Sequence, residues 1–177
     1  MGPTSRVLRR RTIRLPGYDY RNAGAYFITV CAHGLVCRFG EVVDGVVRLN
    51  AYGDIVADAW CRTPVVRPNV ALDAFVVMPN HFHAIILLRD PGTLSRCTQA
   101  RFGRPVTGSL GSIVGQFKAV VTKRINSRSN APGVDVWQRN YHERIIRTEE
   151  ELNLSRHYID DNPAHWSTDR NNPLAHP

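Results

Sequence analysis

An α+β domain, with an antiparallel sheet and helices packed on one side, is the fold this 177-residue sequence predicts. Three observations carry that reading. Strand-length apolar blocks alternate with segments in which apolar residues recur at three- and four-residue steps. The two patterns succeed one another as strand, hairpin, helix, strand, strand, helix, strand, helix, with no internal repeat. Apolar residues make up 43% of the chain, enough for a core. Even so, the longest apolar runs, 74–78 and 84–88, fall far short of the roughly 18 residues a membrane span needs.

Residues 1–17 read as a basic arm without periodicity. Tyr26, Phe27, Ile28, Thr29 and Val30 are aromatic and β-branched, and predict the first strand. In Val42-Val43-Asp44-Gly45-Val46-Val47, Asp-Gly stands between two apolar pairs, a strong hairpin signal. Asn50 is placed to cap a helix through Ile55, Val56, Ala59 and Trp60, which Pro64 and Pro68 are expected to end. Two strands, 71–77 and 82–88, flank Pro79-Asn80. Residues 90–108 carry Arg96, Arg101 and Arg104 among prolines, glycines and threonines, and predict a mobile basic loop. Leu110, Ile113, Val114, Phe117, Val120 and Val121 lie at helical spacing. An extended segment is predicted across 134–146. Thr148 and Glu151 then form a capping box for a last helix that stops at Asn162-Pro163. Residues 167–177 read as a tail, and the whole chain as one domain.

The chain holds 23 Lys and Arg against 15 Asp and Glu, a formal charge of +8, and only Lys118 and Lys123 are lysines. Arginine's planar fork suits phosphate, so nucleic acid leads among polyanionic partners. Cys31, Cys37, Cys61 and Cys97 form no C-x-x-C pair and read as reduced thiols, placing the protein in the cytoplasm. The arginine-rich N-terminus is followed by no apolar h-region, so no secretory signal is expected.

The densest chemistry lies in Met78-Pro79-Asn80-His81-Phe82-His83. On a strand His81 and His83 share one face, and two imidazoles a strand repeat apart can hold one metal ion. A third ligand must come from elsewhere. Tyr158 and Asn162, at i and i+4, share a face of the last helix. Asn162 offers a carbonyl oxygen suited to magnesium or manganese, and Tyr158 a phenol that can serve as a nucleophile. Tyr141 is the rival nucleophile, without a ligand beside it. The bland alternative makes Tyr158 a packing residue and Asn162 a helix C-cap.

Taken together, these residues resemble the REP-associated tyrosine transposases, of the single-tyrosine transposase family in the HUH endonuclease superfamily. The resemblance runs from about residue 10 to 172. It rests on Gly17-Tyr18-Asp19-Tyr20, on the histidine motif, on the helix from Leu110 through Phe117-Lys118, on Trp137-Gln138-Arg139-Asn140-Tyr141, and on Tyr158 through Asn162-Pro163 with Trp166. It implies a ferredoxin-like domain in which His81, His83 and Asn162 bind Mg2+ or Mn2+ beside the scissile phosphate of single-stranded DNA. It further implies that Tyr158 attacks phosphorus to give a 5′-phosphotyrosine and a free 3′-hydroxyl. The substrate it implies is DNA with hairpin-forming repeats, handled by a monomer or a homodimer. No G-x-x-x-x-G-K-[ST] motif is present, as expected of a reaction that needs no nucleotide.

Arg10, Arg11 and Arg14 of the arm, Arg101 and Arg104 of the loop, and Lys118, Lys123 and Arg124 are the candidate DNA contacts, with Tyr18, Tyr20 and Phe102 able to stack on unpaired bases. Two other readings compete. One is a domesticated hairpin-DNA-binding protein without catalysis; the other is a metalloprotein whose histidines hold structural zinc.

Overall fold

The structure is a computed structural model that describes residues 18–89 and 108–175. The basic arm and all but the last residue of the 90–108 loop lie outside the described residues, and with them Arg10, Arg11, Arg14, Arg101, Phe102, Arg104 and Cys97. The strands are β1 (Gly24–Cys31), β2 (Gly40–Val43), β3 (Val46–Leu49), β4 (Val70–Val77), β5 (His81–Leu88) and β6 (His142–Ile146). The helices are α1 (Ala51–Cys61), α2 (Thr63–Val66), α3 (Leu110–Arg128) and α4 (Glu149–Asp161).

Strands β4, β5, β1 and β6 form one antiparallel sheet in that order. With the separate β2–β3 hairpin set aside, the chain runs β1-α1-β4-β5-α3-β6, the split βαβ arrangement of ferredoxin-like domains. Helices α1 and α3 pack on one side of the sheet, burying Trp60, Ile113 and Phe117 against Tyr26, Ile28, Phe82 and Ile86. The other face carries α4, whose Ile159 packs with Ile85 and Ile146. Because strand side chains alternate, the central strand β5 divides its residues between the two sides. Phe82, Ala84 and Ile86 enter the α1–α3 core, while Ile85 and Leu87 turn toward α4. His81 and His83 lie in the same alternation as Ile85, on the α4 side.

The β2–β3 turn has Asp44 at φ 53° and Gly45 at φ 74°, the two positive angles a type I′ hairpin requires. Asn50 Oδ1 accepts from the amides of Tyr52 (2.9 Å) and Gly53 (3.1 Å) and so caps α1. Gly53 is needed for close approach, since a Cβ there would run into the Phe39 carbonyl oxygen and the Leu49 side chain. Gly53→Ala is therefore expected to cost about 1–3 kcal/mol by overpacking. Gly115→Ala, where a Cβ meets nothing within 4 Å, should not lower the melting temperature.

Two elements differ from the sequence reading. Pro64 does not end the helical region; α1 stops at Cys61 and Pro64 lies in the first turn of α2, where its missing N–H costs nothing. The extended segment expected over 134–146 pairs in the sheet only from His142. Val136 and Trp137 are neighbours buried in the same core, which a strand with alternating faces cannot achieve, and Trp137 makes a single bridge to Ala32. Thr148 Oγ1 accepts from the Glu151 amide (3.1 Å) as predicted, while the Glu151 carboxylate reaches one residue further back, to the Arg147 amide (2.8 Å). Cys31, Cys37 and Cys61 are free thiols. Among the described residues no helix is long and apolar enough to cross a membrane.

Candidate functional site

The site begins with the turn between β4 and β5. Asn80 is fully buried, and its Nδ2 donates to the carbonyls of Leu35 (2.8 Å) and Asn171 (2.6 Å). That fixes the amide so that Oδ1 faces His81 Nδ1 at 2.9 Å. An amide oxygen only accepts, so His81 carries its proton on Nδ1 and presents a lone pair at Nε2. His83 is held by Thr29, its partner on β1, whose hydroxyl Oγ1 lies 2.8 Å from Nδ1 and can donate to or accept from the ring. The two rings lie 4.6 Å apart, edge to face. A hydrogen-bonded outer partner that sets tautomer and ring orientation is typical of metal-ligating histidines.

Helix α4 completes the site. A β-bulge between Leu72 and Phe75 accompanies Asp73, whose carboxylate takes both Nε (2.8 Å) and a terminal nitrogen (2.7 Å) of Arg156. This fork ties α4 to the sheet two residues before Tyr158. The Tyr158 ring then stands edge-on to His83 (5.3 Å) and Phe27 (5.8 Å), and 47% of the residue remains exposed. One turn on, Asn162 is buried, near enough to both His81 and Tyr158 to perturb their ionisation. A cleft of about 390 Å³ opens beside them, lined by Phe27, Thr29, His83, Arg144, Tyr158 and Arg170.

Three buried atoms at this site have no hydrogen-bond partner: His81 Nε2, His83 Nε2 and Asn162 Oδ1. Leaving a buried polar atom unsatisfied costs about 1–3 kcal/mol, so three together mark a site shaped for something else. Two imidazoles and an amide oxygen form a donor set that suits a divalent cation. Among the described residues no three His, Cys, Asp or Glu side chains gather as a metal cluster.

Burial, with a smaller contribution from Arg170, pushes His81 down to about 4, against the opposing pull of Asp169 and Asn162. Burial, then His81 and Arg170, hold His83 well below its ordinary value. Both imidazoles are neutral at neutral pH, the form that binds metal. A folded pKa below the unfolded value of about 6.5 stabilises the fold fully above that pH, and the gain is lost as pH falls toward the folded value. Without metal, the melting temperature should therefore drop as pH is lowered from about 6.5 to about 4. His81→Ala should flatten that drop.

No family model matches the chain. An uncharacterized protein of Haemophilus influenzae (strain ATCC 51907 / DSM 11121 / KW20 / Rd) is 41% identical over 167 residues, 91% of this chain and 92% of that one. The two chains belong to one family. Among solved structures, that of a REP-associated tyrosine transposase bound to a REP hairpin aligns with a TM-score of 0.56 at 21% identity, covering 85% of this chain and 72% of that one. This chain thus shares the fold of that transposase.

The remaining candidates are dispersed. Lys118 donates to the carbonyls of Gln138 (2.6 Å) and Arg139 (3.1 Å), holding the Trp137 segment onto α3. Arg124 pairs with Asp58 at 2.5 Å. Lys123 lines a shallow groove with Lys118 and Arg139. All three stand on α3, across the sheet from Tyr158. Tyr18 meets Tyr26 edge-on (6.5 Å) and Tyr20 meets it tilted (6.1 Å), both packed against the α1–α3 core, and Tyr141 packs against that core too. The sequence reading missed Asp169, whose Oδ2 lies 4.0 Å from His81 Nε2, along with Arg144 and Arg170 in the cleft. Register places Arg144 beside Phe27 on β1. Asp169 and Arg170 follow α4 in irregular chain, where no periodicity points to them.

Proposed function

We propose that this protein is a metal-dependent single-stranded DNA endonuclease and transposase that cleaves and rejoins hairpin-associated DNA through a 5′-phosphotyrosine. The observation that carries this reading is the group of three unpartnered buried donors beside a half-exposed tyrosine in an open cleft. The shared fold adds support, because the matched transposase is one bound to a REP hairpin. His81, His83 and Asn162 would hold Mg2+ or Mn2+, which when bound polarises a phosphoryl oxygen and offsets developing charge. Tyr158 Oη attacks phosphorus; the Oη–P bond forms as the P–O3′ bond breaks. The phenolic proton passes to water, and the departing 3′ oxygen takes one up. The exchanged phosphodiester conserves bond energy for rejoining, so no nucleotide is required. Thr29 and Asn80 hold the two imidazoles in place throughout. On this reading the protein acts in the cytoplasm on DNA, not on membranes, as a monomer or homodimer.

The direct test is incubation with a labelled single-stranded hairpin oligonucleotide and a magnesium or manganese salt. A covalent protein–DNA band is expected; binding without a band would make the protein a hairpin-binding module. Hairpin affinity should also fall steeply with salt, because each neutralised phosphate releases counterions. Deleting residues 1–14 should flatten the plot of log affinity against log salt by roughly 0.7–0.9 for each phosphate the arm neutralises. An unchanged slope would show that Arg10, Arg11 and Arg14 make no phosphate contact.

A further inference from the structure

We propose that Arg170 is a catalytic residue whose guanidinium binds a non-bridging oxygen of the phosphodiester that Tyr158 attacks. The proposal rests on the Tyr158 reading above and adds to it the group that neutralises the substrate's own charge.

Two arginines line the cleft, and their situations differ. Arg144 is already occupied: a terminal nitrogen donates to Ser155 Oγ (2.8 Å), and its guanidinium lies over the Phe27 ring (6.0 Å). Arg170 makes no hydrogen bond or ion pair among the described residues. Its neighbour Asp169 does not hold it, because Oδ1 of that carboxylate accepts from the Asn171 amide (2.6 Å) and Oδ2 faces His81. Arg170 is thus the cleft guanidinium left for a ligand.

The backbone beneath Arg170 is fixed although its side chain is free. The Asn171 carbonyl accepts from Asn80 Nδ2 (2.6 Å), the same side chain that orients His81. The Asn172 amide donates to the Asp169 carbonyl (2.9 Å), and Asn172 Nδ2 to the Trp166 carbonyl (2.9 Å). Arg170 is therefore registered to His81 through two asparagines, its neighbour Asn171 and Asn80. Its positive field reaches all three reactive groups, favouring the Tyr158 phenolate and disfavouring protonation of His81 and His83. An attacking phenolate and a phosphodiester repel each other, and a guanidinium beside the phosphate, clear of the line of attack, offsets that repulsion through its N–H donors. Arg170 keeps its protons through the step, and the electron pair of the broken P–O3′ bond leaves with the 3′ oxygen.

The test compares wild type, Arg170→Ala and Arg170→Lys for single-turnover adduct formation on two oligonucleotides. One carries an ordinary scissile phosphate; the other carries a methylphosphonate there, which lacks the negative charge. On the phosphodiester, Arg170→Ala should be slower by roughly 10²–10³-fold, the loss typical of one transition-state donor, with hairpin affinity nearly unchanged. Arg170→Lys should recover part of the rate. On the methylphosphonate the gap between wild type and Arg170→Ala should largely close. An equal gap on both substrates, or none on the phosphodiester, would overturn the role of Arg170. A wild-type protein that forms no adduct at all would instead overturn the Tyr158 reading itself.

Discussion

Tyr158→Phe is expected to fold, to bind hairpin DNA and to form no covalent adduct. The substitution removes one oxygen and keeps the ring, whose edge-on contacts with His83 and Phe27 are what hold it in place. Burial, followed by the Asp169 carboxylate, raises the phenol above its usual range, while Arg170 and Asn162 oppose the rise. Free of metal and substrate, the hydroxyl is therefore protonated and idle at neutral pH, and activation must arrive with the substrate complex. Loss of a covalent nucleophile typically costs roughly 10⁴-fold or more, so the band should vanish in a gel assay. Tyr141→Phe should keep the band, since Tyr141 packs against the α1–α3 core on the other side of the sheet. Peptide mapping of the wild-type adduct should find the nucleotide on the peptide containing Tyr158. Its recovery on the Tyr141 peptide would move the site without changing the reaction class.

The parts of this site that local periodicity encodes were legible in the sequence. Strand alternation puts His81 and His83 on one face, and the i, i+4 relation brings Tyr158 and Asn162 together. The Asp-Gly hairpin and the Asn50 and Thr148 caps are equally local. The relation of these elements across the sheet is not local. That His83 leans on Thr29 follows from the β1–β5 register, and that Arg156 ties α4 to the sheet follows from its meeting with Asp73 beside a bulge in β4. Neither leaves a trace in hydrophobic pattern. Lys118 shows the converse: on a helical wheel it is one more surface cation, yet in the fold two backbone carbonyls share its ammonium. Asp169 and Arg170, in chain without periodicity, are held at the site by contacts such as the capture of the Asn171 carbonyl by Asn80.

That capture gives the histidine pair its second test. His81→Ala and His83→Ala should each abolish metal-dependent cleavage while leaving hairpin affinity largely intact, because backbone-positioning contacts and the reacting centre are separate. Each removes one of the three buried donors, His81 Nε2, His83 Nε2 and Asn162 Oδ1, that have no hydrogen-bond partner among the described residues, and the remaining two cannot hold a hard, strongly hydrated cation in fixed geometry. Each also strands a buried partner, Asn80 Oδ1 in one case and Thr29 Oγ1 in the other, so a stability loss of about 1–3 kcal/mol should accompany the change. Melting curves in a chelator separate that loss from the catalytic one. Asn80→Ala supplies the graded case, since it leaves both imidazoles in place but frees the His81 ring to rotate and releases the Asn171 carbonyl. It should weaken Mn2+ binding roughly 10–100-fold, the usual effect of deleting an outer-shell partner, and slow cleavage at limiting metal more than at saturating metal. If either histidine variant retains most of its metal-dependent cleavage, the ligand assignment is wrong, and the three unpartnered atoms require another occupant.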